Sequence, residues 1–148
     1  MVCVKNNKGF TLIELMLVIS LIALLSGLSI SVYSSTQTKN DLNIAVSTFV
    51  NDARNAQIKA RLSSQDDAWS VKIEQSQIIL FKGNNFNSRD QSYDQISKIS
   101  PNITYSGLSD FSFAKVTGLP VVPGSVTLSN VSGQNLTINI SSNGVINY

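Results

Sequence analysis

The sequence predicts an α+β fold, a long N-terminal α-helix packed on a small antiparallel β-sheet head, and three observations carry that expectation. A long apolar run follows a short basic start. Helical spacing of small and apolar residues continues beyond it, and from Trp69 onward the pattern changes to strand-like alternation broken by turn residues. The chain has 148 residues, enough for one domain with a single core.

The apolar run begins at Phe10 and reads FTLIELMLVISLIALLSGLSISVY, and the 24 positions between Glu14 and Lys39 carry no charged residue. At a rise of about 1.5 Å per residue, roughly 20 apolar residues span the hydrocarbon core of a bilayer, so Leu15 to about Ser35 is long enough to cross as one helix. Lys5 and Lys8 lie just before the run. Basic flanks stay on the cytoplasmic side, so a single pass with the N-terminus in and the C-terminus out is expected. A cleaved secretory signal peptide is the competing reading. The run is longer than a signal core, has no A-x-A-like exit, and contains Glu14. An acidic group costs about 2.5–3.5 kcal/mol near the centre of a membrane helix and less near its end, so Glu14 calls for a partner or a function.

Beyond the run, Leu42, Ala45, Val46, Phe49, Ala53, Ala56 and Ala60 recur at three- and four-residue intervals, with Asp41, Asp52, Lys59 and Arg61 off that stripe. Core packing against the head is the simplest account of the stripe. No proline occurs between Phe10 and Leu62, so one nearly continuous helix of roughly 80 Å is expected, with Gly27 its weakest point. Ser63 to Asp67 breaks the pattern. Trp69, Val71 and Ile73 then alternate with polar residues, and Gln77–Lys82 follows closely enough to form a hairpin. Gly83 to Asp94 reads as an exposed polar loop. Further strands are expected over Ile103–Tyr105, Asp110–Lys115, Ser125–Leu128 and Leu136–Ile140, and Asn143-Gly144 is a tight turn into Val145–Tyr148. So small a head, without disulfides, needs the apolar face of the helix to complete its core.

Composition narrows the function. Hydrophobic residues are 43% and charged residues only 14%, against about 25% in an average soluble domain. Histidine is absent and the only cysteine is Cys3, which excludes a disulfide framework, a Cys/His zinc site and imidazole-dependent catalysis. Asp66 and Asp67 are adjacent and point apart in extended chain, and without a glycine-spaced loop they make a poor calcium site. No enzymatic activity, cofactor or metal is expected. Of eleven basic residues two are Lys5 and Lys8, so residues 10–148 carry nine basic and nine acidic side chains, and residues 116–148 carry none of either. Arg54, Lys59 and Arg61, with Lys72, Lys82 and Arg89 as neighbours, are the candidate nucleic-acid contacts. A solvated face explains them more simply, since phosphate-binding proteins show a basic stripe. The Asn-x-Ser/Thr triplets at Asn102, Asn130, Asn135 and Asn139 read as ordinary strand and turn composition, and Trp69 as a core residue.

Lys8-Gly9-Phe10-Thr11-Leu12-Ile13-Glu14-Leu15, followed by the apolar helix, resembles the prepilin signature of type IV pilins and type II secretion pseudopilins. The resemblance implies a leader of residues 1–9 cut after Gly9 by the prepilin peptidase, N-methylation of the new N-terminal Phe10, and an assembly salt bridge from Glu14 to the Phe10 amine of a neighbouring subunit or of its own chain. It divides the rest into a transmembrane and filament-core helix over 10–35, an amphipathic periplasmic half over 36–62, and a β-rich head over 63–148. Ala53 to Ala60, Trp69, Gly118, Pro120 and the closing Ile138–Ile146 are similar to the H-type minor pseudopilins and related minor pilins. The kinking proline and C-terminal cysteine pair of many major pilins are missing. Implied partners are other pilin or pseudopilin subunits, the prepilin peptidase, the inner-membrane assembly platform and, before assembly, membrane lipid; nucleic acid is not expected. The implied location is the inner membrane and then a periplasmic or cell-surface filament. A DNA-binding minor pilin of a DNA-uptake filament and a major fibre-forming pilin are the alternatives.

Overall fold

The computed structural model describes residues 9–148, the side chains of 27–35 excepted. Most of the expected leader, residues 1–8, and with it Cys3, Lys5 and Lys8, lies outside the described residues. The chain divides into two compact units, 1–36 and 37–148. The long helix α1 is Leu12–Arg61, and it passes through Gly27 without a break.

In the larger unit α1 buries the stripe read from the sequence. Leu42, Ala45, Val46, Phe49, Ala53, Ala56 and Ala60 are all at most 3% exposed, and Val50 joins them at 2%. Alanines toward the end of the stripe let the backbone approach the sheets closely, while Phe49 fills the space in the middle with its ring edge-on to Phe111, centroids 5.9 Å apart.

Eight strands follow: β1 Trp69–Glu74, β2 Gln77–Lys82, β3 Gln95–Lys98, β4 Thr104–Gly107, β5 Asp110–Phe113, β6 Gly124–Ser129, β7 Asn135–Ile140 and β8 Ile146–Asn147. The expected small antiparallel head is present, as two four-stranded sheets instead of one, ordered β3-β2-β1-β5 and β4-β6-β7-β8, with every pairing antiparallel. The chain changes sheets three times, between β3 and β4, β4 and β5, and β5 and β6; at the second, residues 108–109, the Leu108 N–H bonds the Ser125 carbonyl of one sheet, and the Ser109 carbonyl accepts the Ile73 N–H of the other. Gly107 makes that crossing possible. Its φ is +94°, and a Cβ there would lie 2.6 Å from the Ser125 carbonyl oxygen. Trp69, Val71, Ile78, Leu80, Phe111 and Phe113 from the first sheet meet Val126, Leu128, Ile138 and Ile140 from the second in one core beneath α1.

One strand, β3, is absent from the sequence reading. β3 has only Ile96 as an apolar residue, 57% exposed, and pairs with β2 through its backbone. Residues 83–94 are largely exposed, as expected, and are tied down at Phe86 and Arg89. Phe86 packs edge-on to Phe81 at 5.3 Å, Lys72 and Arg89 lie 3.7 and 3.5 Å from its ring centre, and Arg89 is paired with Asp94 at 2.9 Å.

Asp52, on α1, is half-buried, and its Oδ2 has no hydrogen-bond partner among the described residues. Burial raises its pKa above the usual 3.8, opposed by a hydrogen bond from Ser97 of β3 and by the Lys59 charge. The folded state therefore holds the Asp52 proton more tightly than the unfolded state does. This group's contribution to stability is largest below the unfolded pKa and is lost as pH rises through the raised folded value. Asp52→Asn is expected to raise Tm at neutral pH, with the gain disappearing as the pH is lowered below about 4; thermal melts of the full chain across pH read this directly, and equal melts at all pH values would contradict it.

Candidate functional site

The residues expected to be processed come at the start of α1. Gly9 and Phe10 lie outside the helix and are exposed, Phe10 at 88%. The helix starts behind Thr11. Its hydroxyl accepts the Glu14 N–H at 3.3 Å, and the Glu14 carboxylate accepts the Thr11 N–H at 3.5 Å. This reciprocal Thr-x-x-Glu arrangement is a capping box, which satisfies two backbone donors that a helix start otherwise leaves open. It also sets a negative charge beside the positive end of the helix dipole. The sequence reading of Glu14 as a charge awaiting an amine missed this second role, although Thr11 three residues ahead was the visible signal. Among the described residues, Glu14 has no cationic partner within its own chain.

Downstream of Glu14 the helix is apolar on every side. Leu15, Met16, Leu17, Val18, Ile19, Leu21, Ile22, Leu24 and Leu25 are each between 47% and 70% exposed. A helix of that kind is covered by lipid or by other helices when at rest, since no single face could turn such a surface from water. Its two described hydroxyls suit an apolar surrounding, because Ser20 donates to the Leu17 carbonyl and Ser26 to the Ile22 carbonyl, at 2.8 and 2.7 Å. Among the described residues no helix is long and apolar enough to cross a membrane. The expected span, Leu15 to about Ser35, includes 27–35, whose side chains lie outside the described residues.

Of the basic residues, Lys59, Lys72, Lys82 and Arg89 each lie over an aromatic ring. Lys59 is turned toward the first sheet and sits 4.1 Å from the centre of the Trp69 ring, and Trp69 is 3% exposed, as a core residue should be. Arg61 is exposed and donates from Nε to the Thr117 carbonyl at 3.3 Å. Arg54 is exposed on the face of α1 that Arg61 shares, seven residues away. Lys72 bonds Glu74 and lies over Phe86, Lys82 lies over Tyr93, and Arg89 holds Asp94. A cavity of about 330 Å³ lies beside Lys59, Ser64, Trp69, Ser92, Tyr93 and Asp94. Asp66 reaches Lys115 while Asp67 accepts its neighbour Ala68's N–H, so the two adjacent carboxylates act separately.

Of the Asn-x-Ser/Thr residues, Asn130 is buried and organises its own turn. It accepts the Ser132 and Gln134 N–H groups and donates to the Thr38 carbonyl of α1. Asn102, Asn135 and Asn139 are exposed.

No curated protein and no solved structure matches the chain. Residues 4–30 match the prokaryotic N-terminal methylation motif. That motif, heading a helix packed on a small antiparallel β domain, supports a pilin-like protein that acts as a structural subunit, is processed by a prepilin peptidase and assembles with other pilin subunits.

Proposed function

We propose that the chain is a minor pilin or pseudopilin, of the H-type group, incorporated into a type IV pilus or a type II secretion pseudopilus. It inserts in the inner membrane by residues 10–35 with the head outside, is cut after Gly9 and methylated on Phe10, and is then drawn by the assembly platform into a filament. Residues 36–62 and the head, 63–148, remain outside the bilayer throughout. The match of residues 4–30 to the methylation motif carries this reading.

Cleavage is what changes the electrostatics. It turns the Phe10 nitrogen from an amide into a cationic amine beside an apolar helix, and methylation keeps the charge. The Glu14 carboxylate of an adjoining subunit neutralises it, because the opposite charge offsets the desolvation of both groups when helices pack. Transfer from lipid to a bundle of like helices releases little hydrophobic energy, so a motor drives the step and the ion pair sets the register. The charge balance of residues 10–148, nine against nine, supports this reading over nucleic-acid capture.

The capping box suggests how to test Glu14. Glutamine at the same position retains the cap but carries no charge. Glu14→Gln is therefore expected to insert in the membrane as the wild type does and to be lost from purified filaments, with Glu14→Ala behaving alike. Wild-type incorporation of Glu14→Gln would refute the ion pair and leave Glu14 as a cap alone.

A further inference from the structure

A cleft of about 290 Å³ lies between α1 and the turn that joins β6 to β7. Lys39, Leu42 and Asn43 line it from the helix, and Gln134, Asn135 and Leu136 from the turn and the start of β7. The turn is held in place by Asn130, which is 6% exposed. Its Nδ2 donates to the Thr38 carbonyl at 3.3 Å and to Gln134 Oε1 at 3.0 Å, and its Oδ1 accepts the Ser132 and Gln134 N–H groups, each at 3.0 Å. The bond to Gln134 also sets the chemistry of the cleft. With its oxygen occupied, the Gln134 side chain keeps its NH2 group as a donor. Lys39, Asn43 and Asn135 are exposed beside it, and Lys39 forms no ion pair among the described residues. No acidic side chain among the described residues lines the cleft. The nearest in sequence, Asp41, is half-buried and accepts a hydrogen bond from Gln37 at 2.9 Å.

We propose that this cleft binds the phosphate of a membrane phospholipid while the chain resides in the bilayer, a proposal that rests on the reading of residues 10–35 as a membrane segment. The chemistry selects a phosphate. Lysine supplies the countercharge, and the three amides supply N–H donors for the phosphate oxygens. Leu42 and Leu136 give the cleft an apolar side for the glycerol and the first methylenes of the acyl chains. Position selects a lipid over a soluble anion. Lys39 is four residues beyond residue 35, which is about 6 Å of helix and at most about 14 Å by any path of the chain. The headgroup layer on each side of the hydrocarbon is about 5–7 Å thick. Lys39 therefore stands at or beside the lipid phosphates for as long as the segment spans the bilayer. Because Asn130 fixes the turn to the neighbouring Thr38, the donors of Gln134 and Asn135 come to the same place. The contact ties the head to the membrane surface before assembly and is given up when the helix is withdrawn.

The test uses the full chain in dodecyl maltoside micelles, with the asparagine and glutamine side-chain NH2 groups observed by NMR. The probes are dihexanoyl phosphatidylglycerol, the diacylglycerol with the same chains and no phosphate, and inorganic phosphate. The Asn43, Gln134 and Asn135 resonances are expected to shift saturably with the phospholipid and far less with either control. Lys39→Gln should weaken that binding about tenfold by removing a charge-assisted contact. Gln134→Glu keeps the acceptor for Asn130 but places a negative charge in the cleft, and should weaken binding at least as much. Lys98→Gln, on β3 of the other sheet, should bind as the wild type. Trp69 fluorescence verifies that each variant is folded, and either cleft variant suffices if the other is not. The proposal is overturned if the phospholipid moves none of the three resonances, if diacylglycerol or inorganic phosphate moves them as far, or if folded cleft variants bind as tightly as the wild type. Fractionation of the native chain separates this proposal from the reading it rests on. A chain absent from the membrane overturns both, and a membrane-resident chain with an inert cleft overturns this one alone.

Discussion

Replacing Phe49 with alanine is expected to cost about 3–5 kcal/mol, the range for deleting a fully buried aromatic side chain. Phe49 is wholly buried and its ring meets Phe111 edge-on, so its removal leaves a cavity where α1 faces both sheets and also forfeits the aromatic pair. Against a total stability of about 5–15 kcal/mol, the loss should lower Tm by about 10 °C or more. Melting the full chain in detergent, followed through Trp69 fluorescence, measures it. A shift of no more than about 2 °C would mean that the head does not depend on the helix for its core. The double variant with Phe111→Ala should lose less than the two single losses combined, because the second substitution removes a contact already broken.

Gly9→Val is expected to abolish processing. Gly9 precedes the proposed cut in exposed, non-helical chain, with nothing within 4 Å of where a Cβ would stand, so valine there does not disturb the fold. What changes is the fit of the leader in the peptidase. The variant should retain residues 1–9 and stay in the membrane fraction, and it should be missing from filaments because the Phe10 nitrogen remains an uncharged amide. Gel mobility and filament content report the two effects separately. Normal trimming of the variant would move the cut away from Gly9. Retention of the leader with normal assembly would remove the freed amine from the assembly mechanism.

The parts of the fold that were legible in the sequence are those decided by side-chain period. The α1 stripe from Leu42 to Ala60 and the alternation in β1 and β7 each follow from one face meeting the core, while β2 was legible as a short apolar run close behind β1. β3 was hidden because its pairing rests on the backbone of β2 and not on apolar residues of its own. The crossing from β4 to β5 was hidden because it turns on Gly107 approaching the Ser125 carbonyl, a contact between residues eighteen apart that no local pattern announces. Phe86 was masked by the polar residues around it, although an aromatic ring in such a loop needs somewhere to pack. The order of Gly9, Phe10 and Glu14 lies within the methylation motif matched over residues 4–30, and the capping role of Thr11 was recognisable by its spacing from Glu14. The seating of Lys59, Lys72, Lys82 and Arg89 over aromatic rings was not, because the fold brings Trp69, Phe86 and Tyr93 to them from elsewhere in the chain.

The most direct measurement is the intact mass of the native wild-type chain extracted from its membrane or filament. The account predicts residues 10–148 with one methyl group on the N-terminal amine of Phe10. A chain still carrying Met1 to Gly9, or one found in solution without its apolar segment, would contradict it.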